Sequence, residues 1–151
     1  MRSMRSIRNL LDEYAVSHRN HTNKVLHWFC VPVIVWCVIG LLWCLPNPGV
    51  NWASLVVLAV LIYYALLSLP LGLGALPLLA AMLWSVARLG ALGSSTLLGA
   101  SAALFIVAWI GQFIGHAIEG KRPSFLKDIQ FLLIGPLWLL ADLYRRLGIR
   151  Y

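Results

Sequence analysis

The chain has 151 residues, of which 61% are hydrophobic and only 11% charged, with a formal net charge of +7. Soluble domains run at about 45–50% apolar and about 25% charged, so an ordinary soluble domain is excluded. Disorder is excluded by the same figures, and three cysteines are too few to staple a small secreted scaffold.

A mean hydropathy of +0.84 points to an all-α, polytopic membrane bundle. The basic residues lie outside the apolar blocks without interleaved aromatics, so they suit anionic lipid headgroups rather than nucleic acid. Residues 1–25 carry Arg2, Arg5, Arg8, Asp12, Glu13, Arg19 and Lys24. With no apolar core among them, this segment reads as a cytoplasmic lead-in and not a secretory signal.

Four spans are expected within one integral-membrane domain covering 1–151, at about 26–45, 52–69, 75–87 and 96–118. Pro46, Asn47, Pro48 and Gly49 make a turn after the first span; Pro70, Gly72 and Gly74 punctuate the second. The third is short and ends at Arg88. Gly120 and Pro123 mark the stop of the fourth. The remainder, 124–151, reads as an interfacial or re-entrant segment, its apolar stretch 129–143 broken at Gly135-Pro136.

Cys30, Cys37 and Cys44 recur every seven residues, on one face of the first span. Neighbours are about 10 Å apart at the helical rise, too far to share one ion, so they read as packing residues. Gly111 and Gly115 form a GxxxG pair beside Ala108, a spacing that lets a neighbouring helix come close.

Four spans put both termini on one side. Arg2, Arg5, Arg8, Arg19 and Lys24, with Lys121, Arg122, Lys127, Arg145, Arg146 and Arg150, then make 11 of the 12 basic residues cytoplasmic, leaving Arg88 alone.

The same even count brings His18, His21 and His27 to the face that holds His116. His18 and His27, nine residues apart, would point in opposite directions on one unbroken helix. They can converge only if the chain breaks between them. Residues 19–23 are rich in cap and turn formers, so Thr22 or Asn23 is expected to cap the first span, with His27 one turn in. His21 then sits in the turn and faces solvent. Gln112, His116 and Glu119 fall at i, i+4 and i+7, a polar line on an apolar helix that must face protein, water or a metal. Together these residues favour a metal site.

The pattern Tyr14-x3-His18-x4-Asn23-Lys24-x2-His27-x4-Pro32, with Gln112-Phe113-Ile114-Gly115-His116-x2-Glu119-x2-Arg122-Pro123, resembles the 2-hydroxy fatty acid dioxygenase family. The resemblance covers nearly the whole chain. It implies an iron(II) (Fe2+) enzyme that uses O2 to shorten a 2-hydroxy fatty acid by one carbon, with His18, His27 and His116 as ligands. Tyr14, Asn23, Gln112 and Glu119 join the candidate catalytic group. Whether Glu119 ligates the metal or orients a histidine stays open. Lys24, Lys121 and Arg122 are candidates for the substrate carboxylate, and the acyl chain would lie among the apolar helices. The expected home is a bacterial inner membrane with both termini cytoplasmic, or the endoplasmic reticulum in a eukaryote.

Two other classes compete. A di-iron desaturase or hydroxylase needs more histidines than the four present. A small non-enzymatic scaffold or lipid-binding protein would leave its histidines merely interfacial. A transporter lacks support, since the spans hold neither a mid-depth charge nor an inverted repeat.

Overall fold

The computed structural model describes residues 6–47, 49–126 and 129–151, and they are all-helical. Arg2, Arg5, Pro48, Lys127 and Asp128 lie outside the described residues. Helix α1 (Ile7–Ala15) starts at Ser6, whose hydroxyl accepts from the Asn9 N–H, and buries Leu10, Leu11 and Tyr14 on one side. A short loop leads into α2 (His21–Trp43), then α3 (Trp52–Leu67), α4 (Leu69–Leu92) and α5 (Ser94–Glu119). A 3-10 turn at Ser124–Leu126 precedes α6 (Phe131–Arg146).

Three helices, α2, α4 and α5, are long and apolar enough to cross a membrane; α3 is apolar but has 16 residues. The four run alternately up and down. At one end Asn51 of the α2–α3 turn donates to the Trp43 carbonyl, and the Cys44 thiol lies 3.8 Å from the Ser94 carbonyl. At the other end Asn23 of α2 meets Glu119 of α5, and the Tyr64 hydroxyl of α3 donates to the Leu133 carbonyl of α6. Large side chains such as Phe29, Leu66, Trp84, Ile106 and Val107 point outward, as suits a bundle surrounded by lipid.

Three boundaries differ from the sequence reading, each for a local reason. Pro70, Gly72 and Gly74 do not end a span: they lie inside α4, which begins at Leu69 and runs for 24 residues rather than the short stretch expected. Proline in a first turn forfeits only an N–H that the helix could not use. Gly72 is there for closeness, because a Cβ would come within 2.8 Å of the Ala65 backbone in α3. Gly74 leaves room for the Tyr144 hydroxyl, which donates to the Pro70 carbonyl at 3.0 Å.

The second difference is in α6, which passes through Gly135-Pro136 without a break. Its buried face (Phe131, Ile134, Leu137, Trp138 and Ala141) holds it against the rest of the bundle, and that packing offsets the hydrogen bond that proline forgoes. The third concerns the start of α2. Asn20, not Thr22 or Asn23, is the cap, its side-chain oxygen accepting from the Thr22 and Asn23 N–H groups at 2.9 and 3.4 Å. His27 therefore falls nearly two turns into the helix.

The close pairing of α2 with α5 is what the GxxxG spacing anticipates. A Cβ on Gly111 would meet the Cys30 sulfur at 2.7 Å, and one on Gly115 would collide with the Asn23 side-chain oxygen. Cys30 and Cys44 thus both lie against α5 or its start, and all three cysteines are free.

Candidate metal centre

The α1–α2 loop is built to return a side chain. The Tyr14 carbonyl accepts from the Ser17 N–H at 3.2 Å, and the His18 N–H reaches the Ala15 carbonyl at 3.1 Å, so α1 ends in a tight turn. The chain then re-enters a helix at the Asn20 cap. His18 and His27, which a continuous helix would separate, thereby face each other. Their relative exposures are 1% and 2%, and His116 of α5 closes the group at 6%.

One ring nitrogen from each of His18, His27 and His116 lies within 4.8 Å of those of the others. The His18 ring centroid is 4.3 Å from that of His27, and the His116 centroid is 5.0 Å from each.

Hydrogen bonding fixes the tautomers of two of them. His18 Nδ1 lies 2.7 Å from the Tyr14 carbonyl, and His27 Nδ1 lies 2.9 Å from the Asn23 carbonyl. A carbonyl only accepts, so each Nδ1 carries the proton and each Nε2 is left with a bare lone pair. Those two Nε2 atoms are 2.9 Å apart. A shared proton could reconcile them, but burial lowers the His18 pKa from 6.5 to about 4, against protonation near neutrality. His116 Nδ1 is also buried without a hydrogen-bond partner.

Converging lone pairs in a buried site repel one another unless a cation lies between them. A metal fits this donor set. The 2.9 Å between the two Nε2 atoms is short enough for both to bind a single ion. Neutral imidazoles with their second nitrogen tied to backbone carbonyls are typical metal ligands.

Glu119 is not one of the converging groups. Its carboxylate accepts from the Arg19 N–H at 2.9 Å, the Asn20 N–H at 2.7 Å and the Asn23 amide at 3.3 Å. The same Asn23 amide donates to the Ser17 carbonyl at 3.1 Å. Glu119 and Asn23 therefore clamp the end of α5 to the loop that carries His18. The helix line read from sequence divides here: Gln112 and His116 face inward, while Glu119 turns to the loop.

Beside the histidines lies a cavity of about 60 Å³ whose lining includes Tyr14, His27, Gln112, His116, Trp109 and Phe131. Tyr14 stacks on His18 with ring centroids 4.1 Å apart and planes 12° from parallel. Burial pushes its phenol above the ordinary value, so the hydroxyl keeps its proton.

The three candidate cations stand elsewhere. None of Lys24, Lys121 and Arg122 is on the cavity wall. Lys24 is half-buried and close enough to His18 to oppose its protonation. Exposed Lys121 donates to the Val16 carbonyl at 2.9 Å, and Arg122 is exposed. His21 is exposed at the first residue of α2 and lies outside the histidine group.

Sequence reasoning missed the roof. Trp138 of α6 packs against Tyr14 and His18, with ring centroids 5.4 and 5.3 Å away, and Phe131, Leu132, Gly135 and Pro136 cover the cavity. Nothing in an apolar helix far along the chain marks it as part of a polar site.

A family model described as "2-hydroxy-palmitic acid dioxygenase Mpo1-like" matches residues 4–147. The 2-hydroxy-palmitic acid dioxygenase MPO1 of Saccharomyces cerevisiae is 30% identical over 151 residues, covering 94% of this chain and 82% of its own length. No solved structure matches. A helical bundle with three apolar helices of spanning length, a buried histidine trio and a match over nearly its full length place the chain together: it belongs to the Mpo1-like, 2-hydroxy-palmitic acid dioxygenase family.

Proposed function

We propose that this chain is an iron(II)-dependent membrane dioxygenase, using O2 to cleave the C1–C2 bond of a 2-hydroxy fatty acid and give the acid one carbon shorter, carbon dioxide and water, a step of fatty acid α-oxidation. The observation that carries the proposal is the pair of bare Nε2 atoms of His18 and His27 facing each other at 2.9 Å. The family's printed name supplies the class of reaction.

His18, His27 and His116 would hold the iron(II), which would supply O2 activation and a Lewis acid for the oxygen-rich head of the substrate. The chain's own residues do the rest. The Tyr14 and Asn23 carbonyls hold the proton of each imidazole on Nδ1 and so aim the Nε2 lone pairs. Glu119 and Asn23 keep the His18 loop from swinging away. Gln112, on the cavity wall, offers an amide donor and acceptor to the hydroxy-acid head, and the Tyr14 phenol, still protonated, offers a donor. Lys24 contributes positive potential for the carboxylate, and Lys121 serves through the loop carbonyl it holds. Arg122 lies on the surface, where it favours an anionic substrate or headgroup. The apolar lining excludes water from the rest of the site.

The alternating helices put the site at the end of the bundle that holds Arg8, Arg19, Lys24, Lys121, Arg122, Arg145, Arg146 and Arg150. By the positive-inside rule that end is cytoplasmic. Four crossings follow, with α3 the short one, in a bacterial inner membrane or, in a eukaryote, the endoplasmic reticulum. The direct test incubates purified protein with 2-hydroxypalmitate, iron(II) and O2. Appearance of the acid one carbon shorter, by mass spectrometry, supports the proposal; unchanged substrate contradicts it.

A further inference from the structure

Two cavities share a wall formed by Val31 and Val35 of α2 and Pro136 of α6. The smaller is bordered by His27 and His116. The larger, about 230 Å³, lies between α2, α4 and α6, with Ala75, Leu79 and Met82 of α4 on its far side. Its lining is almost wholly hydrocarbon. The Tyr64 hydroxyl, the one hydroxyl on it, is already donated to the Leu133 carbonyl at 2.6 Å. A space so poor in free donors and acceptors disfavours a polar headgroup and suits an alkyl chain.

At its end away from the histidines, α2 and α4 are tied together. Val35 lies two turns along α2 from His27, about 12 Å at the helical rise. Just beyond, the Trp36 indole donates to the Ser85 hydroxyl at 2.9 Å, and Ser85 donates in turn to the Met82 carbonyl at 2.8 Å. This chain of bonds ties α2 to α4 one turn past Met82.

We propose that the larger cavity takes the acyl tail of the substrate, which threads past Val31 and Pro136, and that Met82 at its floor sets the preferred chain length. The inference rests on the reading that the histidine site handles a 2-hydroxy fatty acid. With the acid head at the histidines, the wall shared at Val31, Val35 and Pro136 is where a tail would pass from the smaller cavity into the larger. Met82 is unbranched and polarizable, a side chain that fits against a methyl terminus.

The test compares 2-hydroxypalmitate with 2-hydroxyoctanoate in wild type, Met82→Trp and Met82→Ala. Chain shortening is measured on the iron-loaded protein. Binding to metal-free protein is measured by displacement of a fluorescent fatty acid. A raised floor in Met82→Trp should lower the long-to-short preference about tenfold in both assays. Met82→Ala should raise the long-to-short preference. A variant that merely destabilised the fold would not shift the two preferences in opposite directions. Unchanged preferences in both variants, as expected if the cavity holds only a membrane lipid tail, overturn the proposal. If no protein shortens either acid yet binding shows the opposite shifts, the reaction assignment fails and the tail site stands.

Discussion

His18 Nε2 and His27 Nε2 stand 2.9 Å apart, and each imidazole has committed its other nitrogen to a backbone carbonyl. The pairing depends on a break that turns the chain back between α1 and α2. It also places both lone pairs within reach of His116 on a helix nearly 90 residues further along.

We predict that His18→Ala, His27→Ala and His116→Ala each abolish O2-dependent chain shortening, whereas His21→Ala retains most of it. His21 is exposed and outside the trio, so its loss removes no converging nitrogen. Product formation by mass spectrometry checks this. An equal loss in all four variants would show that the trio is not special.

Glu119→Ala should lower iron affinity by about 10–100-fold without removing a histidine. The carboxylate bridges the Arg19 and Asn20 N–H groups and the Asn23 amide, so its removal frees the loop that aims His18. Iron titration against a chelator measures the change. Glu119→Gln, which retains one acceptor oxygen, should fall between wild type and alanine; a Glu119→Ala protein with wild-type affinity would remove the clamp from the account.

Gly115→Ala should cost about 1–3 kcal/mol of stability. The added methyl collides with the Asn23 side-chain oxygen, and Asn23 cannot retreat without releasing Ser17 and Glu119. Thermal denaturation in detergent is the measurement. Gly99→Ala is the control, since a Cβ there meets nothing within 4 Å. Equal melting temperatures for the two variants would argue against the close α2–α5 contact.

The metal-free protein should lose stability as pH falls from about 6.5 to about 4. Burial holds the folded His18 pKa at about 4, below its unfolded value of 6.5, so between those values the unfolded chain binds the extra proton. Stability therefore rises with pH across this window and levels off above it. A shift of this size corresponds to on the order of 3 kcal/mol. Denaturation midpoints across the window test the direction, and midpoints that rise on acidification contradict it.

Much of this site was legible because polar residues are scarce. Two histidines half a turn out of phase, with cap-forming residues between them, require a break, and the loop at 16–20 provides it. Which residue caps was less legible, since Asn20, Thr22 and Asn23 are all capable; geometry selects Asn20, whose side chain reaches two and three residues on. The i, i+4, i+7 line marked a polar face of α5 but not its division, with Gln112 and His116 buried and Glu119 bonded to the loop. Pro70, Gly72 and Gly74 were misread because proline starts helices as readily as it ends them, and because a glycine needed for contact looks like one needed for a turn. The roof was invisible: Trp138 meets Tyr14 only through tertiary packing, and an apolar stretch carries no mark of its partner.

The most direct test of the central claim is the iron content of detergent-purified protein after anaerobic iron(II) loading and desalting. The account predicts about one iron per chain in wild type and in His21→Ala, and little or none in His18→Ala, His27→Ala or His116→Ala when circular dichroism shows the helices intact. Iron retained undiminished in the three folded variants, or absent from wild type, would contradict it.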